Sequence, residues 1–351
     1  MNIDQFVSIV STAPSADNSQ PWLFSNDGQT LSIRHFHRFN TPDPFGAFGH
    51  ATLISGGALQ ETIDTLLQLG GQPTSQSIVR TSEKTWILEI PTKTILLANP
   101  SSDYSYITSR HTNRHPFKPF GEAIPALPSG ESDCKISAIT QPSDISILAS
   151  SLKTCCEARF NNQELHEWLF SSLRWTDEEA NSGTGLDVST LHLPPGGRFF
   201  MHGIAPWERM KFLNRLGLYK LMAFADTIPF RTAPAIVAFT GKTNWKDIWE
   251  TGKWMQRTWI SLNQQGFSVH PYYAITDLGN RLKNGKLNPR WIEPVKNAQE
   301  DIRNLLGLNH YEELHMLFRV GISKTTPVRS RRLPANAFFE TAQPIFDENT
   351  E

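Results

Sequence analysis

The spacing of apolar residues changes period several times along the first hundred positions. Ile3 to Val10 places them at helical intervals and stops before Pro14, whereas Leu31 to Phe36 alternates apolar and polar as a strand does. Leu53 to Leu69 repeats the helical spacing over a longer run closed by Gly70 and Gly71, and Thr85 to Ile90 reads as a second strand stopped by Pro91. Helix and strand signals interleaved in this way predict an α/β or α+β chain. Asn99 to Asp103, rich in Pro, Ser and Asp, reads as a linker. A second loop-rich stretch, Pro119 to Asp133, precedes a helix-like run from Ile145 to Phe170.

An internal repeat sharpens this picture. The helical run after Gly56 and the one after Gly252 share a Gly-to-Gly frame of equal length, in which Leu59 answers to Met255, Gln60 to Gln256, Thr62 to Thr258, Leu66 to Leu262, Gln68 to Gln264 and Gly70 to Gly266. Such a register points to duplication, with each half giving one long helix to a shared interface as the subunits of a symmetric dimer do. The halves are unequal: a smaller one over 1–103, a larger one over 104–340, and a tail over 341–351. The larger half carries an insertion from about Gly196 to Arg231. Within it, Trp207 to Phe224 reads as an amphipathic helix with sparse basic residues, open to three readings: a peripheral helix, a lid over a site, or a membrane-surface helix.

Composition removes several function classes. The chain has 351 residues, with 33 basic and 34 acidic ones for a net charge of −1, so overall charge calls for neither nucleic acid nor a membrane. Three cysteines, Cys134 and the adjacent Cys155 and Cys156, have no paired spacing and fit a reducing compartment. Met1 to Val10 lacks the pattern of a secretory or transit signal, so the expectation is a cytoplasmic protein. No Gly-x-Gly-x-x-Gly or Gly-rich loop ending in Lys-Ser or Lys-Thr is present; Gly56-Gly57 and Gly70-Gly71 read as helix boundaries instead. His35 and His37 share a strand face but lack a third ligand at metalloenzyme spacing, so no metal is expected. Asp177, Glu178 and Glu179 read as a charged helix end.

Three clusters carry candidate chemistry. Arg110 and Arg114, four residues apart with Thr112 between them, read either as a phosphate clamp or as a solvated basic loop. Arg329, Arg331 and Arg332 lie near the C-terminus and lack the interleaved aromatics of a nucleic-acid patch. Ala13 to Trp22 is a turn whose Ser15, Asn18 and Gln20 offer amides and a hydroxyl to a polar ring edge, followed by Trp22, which reads as core.

These residues resemble a known family. Pro14-Ser15-x-x-Asn18-x-Gln20-Pro21-Trp22 is similar to the flavin-contacting segment of nitroreductase-like proteins, and Arg110-x-Thr112-x-Arg114 to their Arg-x-Ser-x-Arg phosphate segment. Gly241 to Tyr273 resembles the family's second core helix and following turn, and Gly321 to Arg332 its closing basic strand. The resemblance implies FMN held between the two halves. Arg110, Thr112, Arg114, Arg329 and Arg331 would sit on its phosphate, and Ser15, Asn18 and Gln20 on ribityl or ring. With one copy of each segment, one site per chain follows. The chain departs from the family in its fused halves, Thr112 in place of Ser, His111 within the clamp, and the insertion. It looks closer to the fused long-chain subgroup, which includes members associated with E1-like activating domains. The implied activity is an FMN oxidoreductase acting on a small molecule, with no catalytic side chain required and NAD(P)H as a candidate reductant. Two other readings remain open: an FMN-binding protein without reductase turnover, and a flavin dehydrogenase of a biosynthetic intermediate. Whether the pseudo-dimer stays monomeric or associates further stays open as well.

Overall fold

The computed structural model describes residues 1–39, 43–73, 77–82, 84–99, 101–118, 126–129, 133–323 and 325–339. Helix α1 (Ile3–Val10) leads through a turn to strands β1 (Trp22–Asn26) and β2 (Thr30–His35), the long helix α2 (His50–Leu69), and strands β3 (Ile78–Thr81) and β4 (Trp86–Pro91). The four strands form an antiparallel sheet in the order β1-β2-β4-β3. Short helices α3 (Thr92–Leu97) and α4 (Ser105–Ser109) and strand β5 (Phe117–Lys118) carry the chain to β6 (Lys135–Ile139), α5 (Pro142–Phe160) and α6 (Gln163–Ser172). Next come β7 (Leu173–Arg174), α7 (Asp177–Ala180), β8 (Leu186–Asp187) and the consecutive helices α8 (Gly197–Ile204), α9 (Trp207–Arg215) and α10 (Leu218–Arg231). The chain ends its regular structure with β9 (Ala235–Lys242), α11 (Trp245–Gln264), β10 (Ser268–Tyr272), α12 (Ala274–Lys283), α13 (Pro289–Leu306) and β11 (Glu312–Ser323). A second antiparallel sheet has the order β10-β11-β9-β6, with β5 added against β11. The architecture is mixed α/β with segregated antiparallel sheets, as the interleaved signals predict.

The two sheets are buried differently. In β9 Val237 and Phe239 face the core that α2 and α11 share, while Ile236 and Ala238 point to the opposite core, where α5, α10, α12 and α13 pack. Both faces of the second sheet are therefore covered, and its inner strand β9 is an apolar run from Ala235 to Phe239. The first sheet buries one face, through Trp22, Phe24, Leu31, Ile33, Trp86 and Leu88.

The repeated helices α2 and α11, 20 residues each, cross in contact. A Cβ on Gly57 would stand 1.9 Å from the Trp249 carbonyl oxygen, and one on Gly252 would stand 2.2 Å from that of Ile54. Backbone thus meets backbone at the crossing, and only glycine fits. Gly56 and Gly57 are not a helix boundary, as the sequence suggests, but the middle of α2. Around them Trp249 Nε1 donates to Gln60 Oε1 at 2.6 Å, Gln256 Nε2 to Thr62 Oγ1 at 3.0 Å, and Arg257 holds Glu61 at 2.8 and 2.9 Å. Three of the repeat's matched residues, Gln60, Thr62 and Gln256, thus take part in the hydrogen bonds of this buried seam.

Other boundaries shift for local reasons. The run from Ile145 to Phe170 is two helices, broken where Asn162 accepts the Leu165 N–H and caps α6. Trp207 to Phe224 is likewise divided, at Gly217, whose φ is +91°. The helices over 197–231 are seated on α5 and β10: Asn214 Nδ2 donates to the Phe160 carbonyl at 2.8 Å, and Phe230 meets Tyr272 edge-on at 5.0 Å. The closing basic segment leaves its strand at Ser323 and runs irregularly over 325–334. Most of Pro119 to Asp133, Pro100 in the linker and the tail over 341–351 lie outside the described residues.

Candidate functional site

The turn between α1 and β1 is held in an uncommon backbone. Asp17, Asn18 and Gln20 have φ of +48°, +56° and +48°, a left-handed region that costs about 1–2 kcal/mol per non-glycine residue unless surroundings enforce it. The enforcement is visible. Ser15 Oγ accepts the Gln20 N–H at 2.9 Å, and Trp168 Nε1 donates to Asp17 Oδ2 at 2.7 Å. Asn18 Nδ2 donates to the carbonyls of Gly185 at 3.0 Å and Arg331 at 2.9 Å, while its Oδ1 accepts from Arg332 Nη1 at 2.5 Å. Gln20 Nε2 donates to the Gly183 carbonyl at 2.7 Å, and its Oε1 accepts the Leu333 N–H. The two amides, read from sequence as flavin contacts, are buried and spend their hydrogen bonds on tying the turn to 183–185 and 331–333. Trp22 is core, as expected.

Arginines gather on one side of this turn. Arg110 follows α4 and is buried; its Nη2 donates to the Thr12 carbonyl at 2.6 Å, its guanidinium lies 4.5 Å from the Trp259 ring centroid, and its Nε has no partner. Arg332 donates to the same Thr12 carbonyl at 3.1 Å. Arg329 lies exposed beside them. Among the described residues, none of the three makes an ion pair. Burial first, then the charges of Arg332 and Arg329, push Arg110 well below the ordinary arginine range, and burial brings Arg332 down to about 10. A buried guanidinium among other guanidiniums, with an unused N–H and no carboxylate, is costly alone and suited to an anion with several acceptor oxygens.

The C-terminal member of the cluster is Arg332, whereas the sequence reading placed Arg331 there. Arg331 turns outward to Asp177 Oδ1 at 2.9 Å and Asn181 Oδ1 at 2.7 Å. The resemblance that puts Arg329 and Arg331 on the phosphate treats this segment as a closing strand, and over 325–334 it has no strand. A similar reason separates the first pair. Because α4 ends at Ser109 and Thr112 bridges Val269 in extended chain, Arg110 and Arg114 do not share a helix face. Arg114 donates to the Thr190 carbonyl at 3.3 Å, and burial lowers it against the pull of Asp17, Tyr272 and Asp226. The two arginines nonetheless border one turn, Arg110 at Thr12 and Arg114 toward Asp17. Thr112 is half-buried between them.

Two residues without a sequence signal support this arrangement. His270 and Arg319 face each other across β10 and β11. Arg319 Nη2 donates to the carbonyls of Asn113 at 3.1 Å and His115 at 2.8 Å, and its guanidinium covers the Phe117 ring at 3.9 Å, which pins the loop over 113–117 to the sheet. Arg319 Nε and His270 Nδ1 are buried without partners. On the other side of the turn, Ala16, Ser19 and Pro21 line a pocket with His35, His37, Asp43, Phe45 and Trp168. Burial alone would raise Asp43, but hydrogen bonds from His35 and from the Phe45 and Gly46 N–H groups outweigh it and hold the carboxyl at about 2. Among the described residues, no group of three His, Cys, Asp or Glu is placed to hold a metal, and no helix is long and apolar enough to cross a membrane.

No family model matches the chain. An uncharacterised protein of Mycobacterium tuberculosis is 26% identical over 249 residues, covering 68% of this chain; the match spans about a third (34%) of that longer relative. Among solved structures, the chain is similar to an FMN-bound nitroreductase from Bacteroides fragilis, with 9% identity, TM-score 0.35, and 70% and 97% of the two chains covered. It is also similar to an FMN-dependent nitroreductase from Mycobacterium smegmatis in complex with NADPH, with 13% identity, TM-score 0.36, and 68% and 96% covered. A BluB-like flavoprotein from Clostridium difficile gives 11% identity, TM-score 0.35, and 68% and 98% covered.

Proposed function

We propose that this chain is an FMN-dependent oxidoreductase of the nitroreductase type, with one flavin lodged between its two halves. The observation that carries the reading is the cluster in which Arg110 and Arg332 both donate to the Thr12 carbonyl beside the charge of Arg329, with no ion pair to any of the three among the described residues. A phosphate monoester supplies the charge and acceptor oxygens that this cluster lacks. The turn over 12–20 borders the same arginines and carries the sequence that resembles a flavin-contacting segment. Its strained backbone, held by Ser15, Asn18 and Gln20, leaves main-chain groups rather than those amides to face the ribityl and ring.

Arg110, Arg329 and Arg332 would hold the phosphate, Thr112 would offer its hydroxyl, and Arg114, steadied by Thr190, would extend the positive field along the turn. Bound FMN supplies hydride and electron transfer. The protein binds it, orients it and tunes it electrostatically. The α2–α11 crossing supports the reading of an intramolecular dimer, with the site formed where the halves meet. A small-molecule substrate, NADH or NADPH as reductant and an E1-like partner enzyme belong to the same proposal.

The test is an absorbance spectrum of the FMN-reconstituted protein, followed anaerobically after NADH and then NADPH. Near one flavin per chain, bleached by a nicotinamide, is the expected result. Bound flavin that ignores both would overturn the reductase and keep the binding, and no bound flavin would overturn both.

A further inference from the structure

The insertion offers a surface that the flavin reading does not use. Helix α10 carries two apolar stripes. Tyr219, Ala223, Thr227 and Phe230 lie buried against the larger half, while Leu221, Phe224 and Ile228, at intervals of three and four, face outward. A helix apolar on both sides is normally covered on both. The helices packed next to it in series also expose apolar side chains: Phe199 of α8 is 87% exposed, and Phe212 and Leu216 at the end of α9 are 59% and 75% exposed. Isolated apolar side chains on a surface are ordinary, but a run over three consecutive helices marks an interaction face.

Charge on this face identifies its occupant. Between Gly196 and Arg231 there are six basic residues and two acidic ones, an excess of four positive charges in a chain whose net charge is −1. Arg198, Arg209, Lys211, Arg215, Lys220 and Arg231 are all exposed and lie between the apolar positions. Of the two acids, only Glu208 lies exposed on this face; Asp226 turns inward and accepts from Cys156 Sγ. In a two-fold dimer formed through this face, the same patch would meet itself and set cations against cations. An exposed set dominated by Arg, Lys, Phe, Leu and Ile, with few acids or amides to specify a register, is instead the composition of helices that lie on anionic bilayers.

We propose that α8, α9 and α10 form a peripheral docking face for an anionic lipid surface, with Phe199, Phe212, Leu216, Leu221 and Phe224 entering the headgroup layer and the basic residues meeting lipid phosphates. The near-neutral total charge hides this local imbalance, and a peripheral face of this kind needs no spanning helix.

The experiment is co-sedimentation of the full chain with vesicles of phosphatidylcholine alone and of phosphatidylcholine mixed with phosphatidylglycerol. Sedimentation with the anionic vesicles alone, released by raised salt, is expected. Leu221→Ser with Phe224→Ser, and separately Arg215→Glu with Lys220→Glu, should each weaken it by about tenfold or more while leaving the circular dichroism spectrum and flavin content unchanged. No sedimentation, or equal sedimentation with neutral vesicles, overturns the proposal. So does a dimer in light scattering that the Leu221→Ser, Phe224→Ser variant splits, which would make the occupant a second copy of the chain.

Discussion

Arg281 and Arg110 are equally buried, each 5% exposed, yet the molecule treats them in opposite ways. Arg281 on α12 holds Asp277 at 3.2 Å and Glu164 at 2.5 Å; burial alone would lower it, but these acids outweigh burial and raise it. Among the described residues Arg110 meets a carbonyl, an aromatic ring and the charges of other arginines but no acid, and it is pushed down. Two carboxylates beside one buried guanidinium make a structural ion pair; the guanidinium that has none among the described residues is the one proposed above to receive an outside anion. The buried histidines give a third solution. Tyr273, His50 and His315 form a hydrogen-bonded chain ending on the Lys242 carbonyl, in which the imidazoles stay neutral, a choice that arginine does not have.

The comparison is broken most severely by removing the receptor. Arg110→Ala with Arg332→Ala should weaken FMN binding by about 10²–10⁴-fold, since each charge-assisted contact contributes about 1.5–3 kcal/mol. The flavin-free protein should lose little stability, because the uncompensated charge that leaves offsets the lost hydrogen bonds to the Thr12 carbonyl and Asn18 Oδ1. Fluorescence titration with FMN and urea unfolding of the flavin-free form read the two quantities.

Arg281→Ala should give the mirror image. It strands Asp277, and stability should fall by about 3–5 kcal/mol in urea unfolding. FMN affinity of the folded fraction should stay within about threefold of the parent. A large loss of affinity without a loss of stability would show that the two arginines have been assigned the wrong way round.

The neutral histidines add a pH dependence with a defined sign. Burial lowers His315 from 6.5 to about 4, so the native state binds fewer protons than the unfolded chain between those values. Its contribution is therefore fully present above pH 6.5 and is lost as pH falls toward 4, by about 3 kcal/mol. Denaturant unfolding between pH 7 and 4 should show this decline, and His315→Gln should flatten it.

The smallest expected effect belongs to Arg331→Ala, which removes an exposed pair with Asp177. A change of less than about twofold in FMN affinity and under about 1 kcal/mol in stability follows from that exposure. If this variant lost flavin as severely as the Arg332→Ala change, the cluster would include Arg331 after all.

Much of the fold is legible in the chain because it depends on local period. Ile3–Val10 falls where the spacing puts it, and β2, α2 and β4 lie within a few residues of theirs. The failures are equally physical. Gly56 and Gly57 resemble helix ends until α11 is set against them, because a glycine required by a close helix crossing carries no mark in its own sequence. The breaks at Asn162 and Gly217 depend on a cap and a left-handed residue that the apolar periodicity does not register. At the site, the basic segments and the strained turn stand out in sequence, but their roles do not. Asn18 and Gln20 tie the turn to 183–185, and Arg331 turns to Asp177, through contacts that lie more than 150 positions away.

The sequence by itself determined the mixed α/β character, the paired long helices, the near-neutral total charge and the presence of arginines at both ends of the larger half. Only the tertiary structure decided which arginines meet. Arg110 and Arg332 converge on Thr12 from 98 and 320 positions away, and whether a carboxylate follows them there is a question of packing rather than of pattern. Burial makes that difference matter. A solvated arginine needs no partner, whereas one shut away from water must find acceptors within the chain, as Arg319 does on two carbonyls and Arg281 on two acids, or take them from outside.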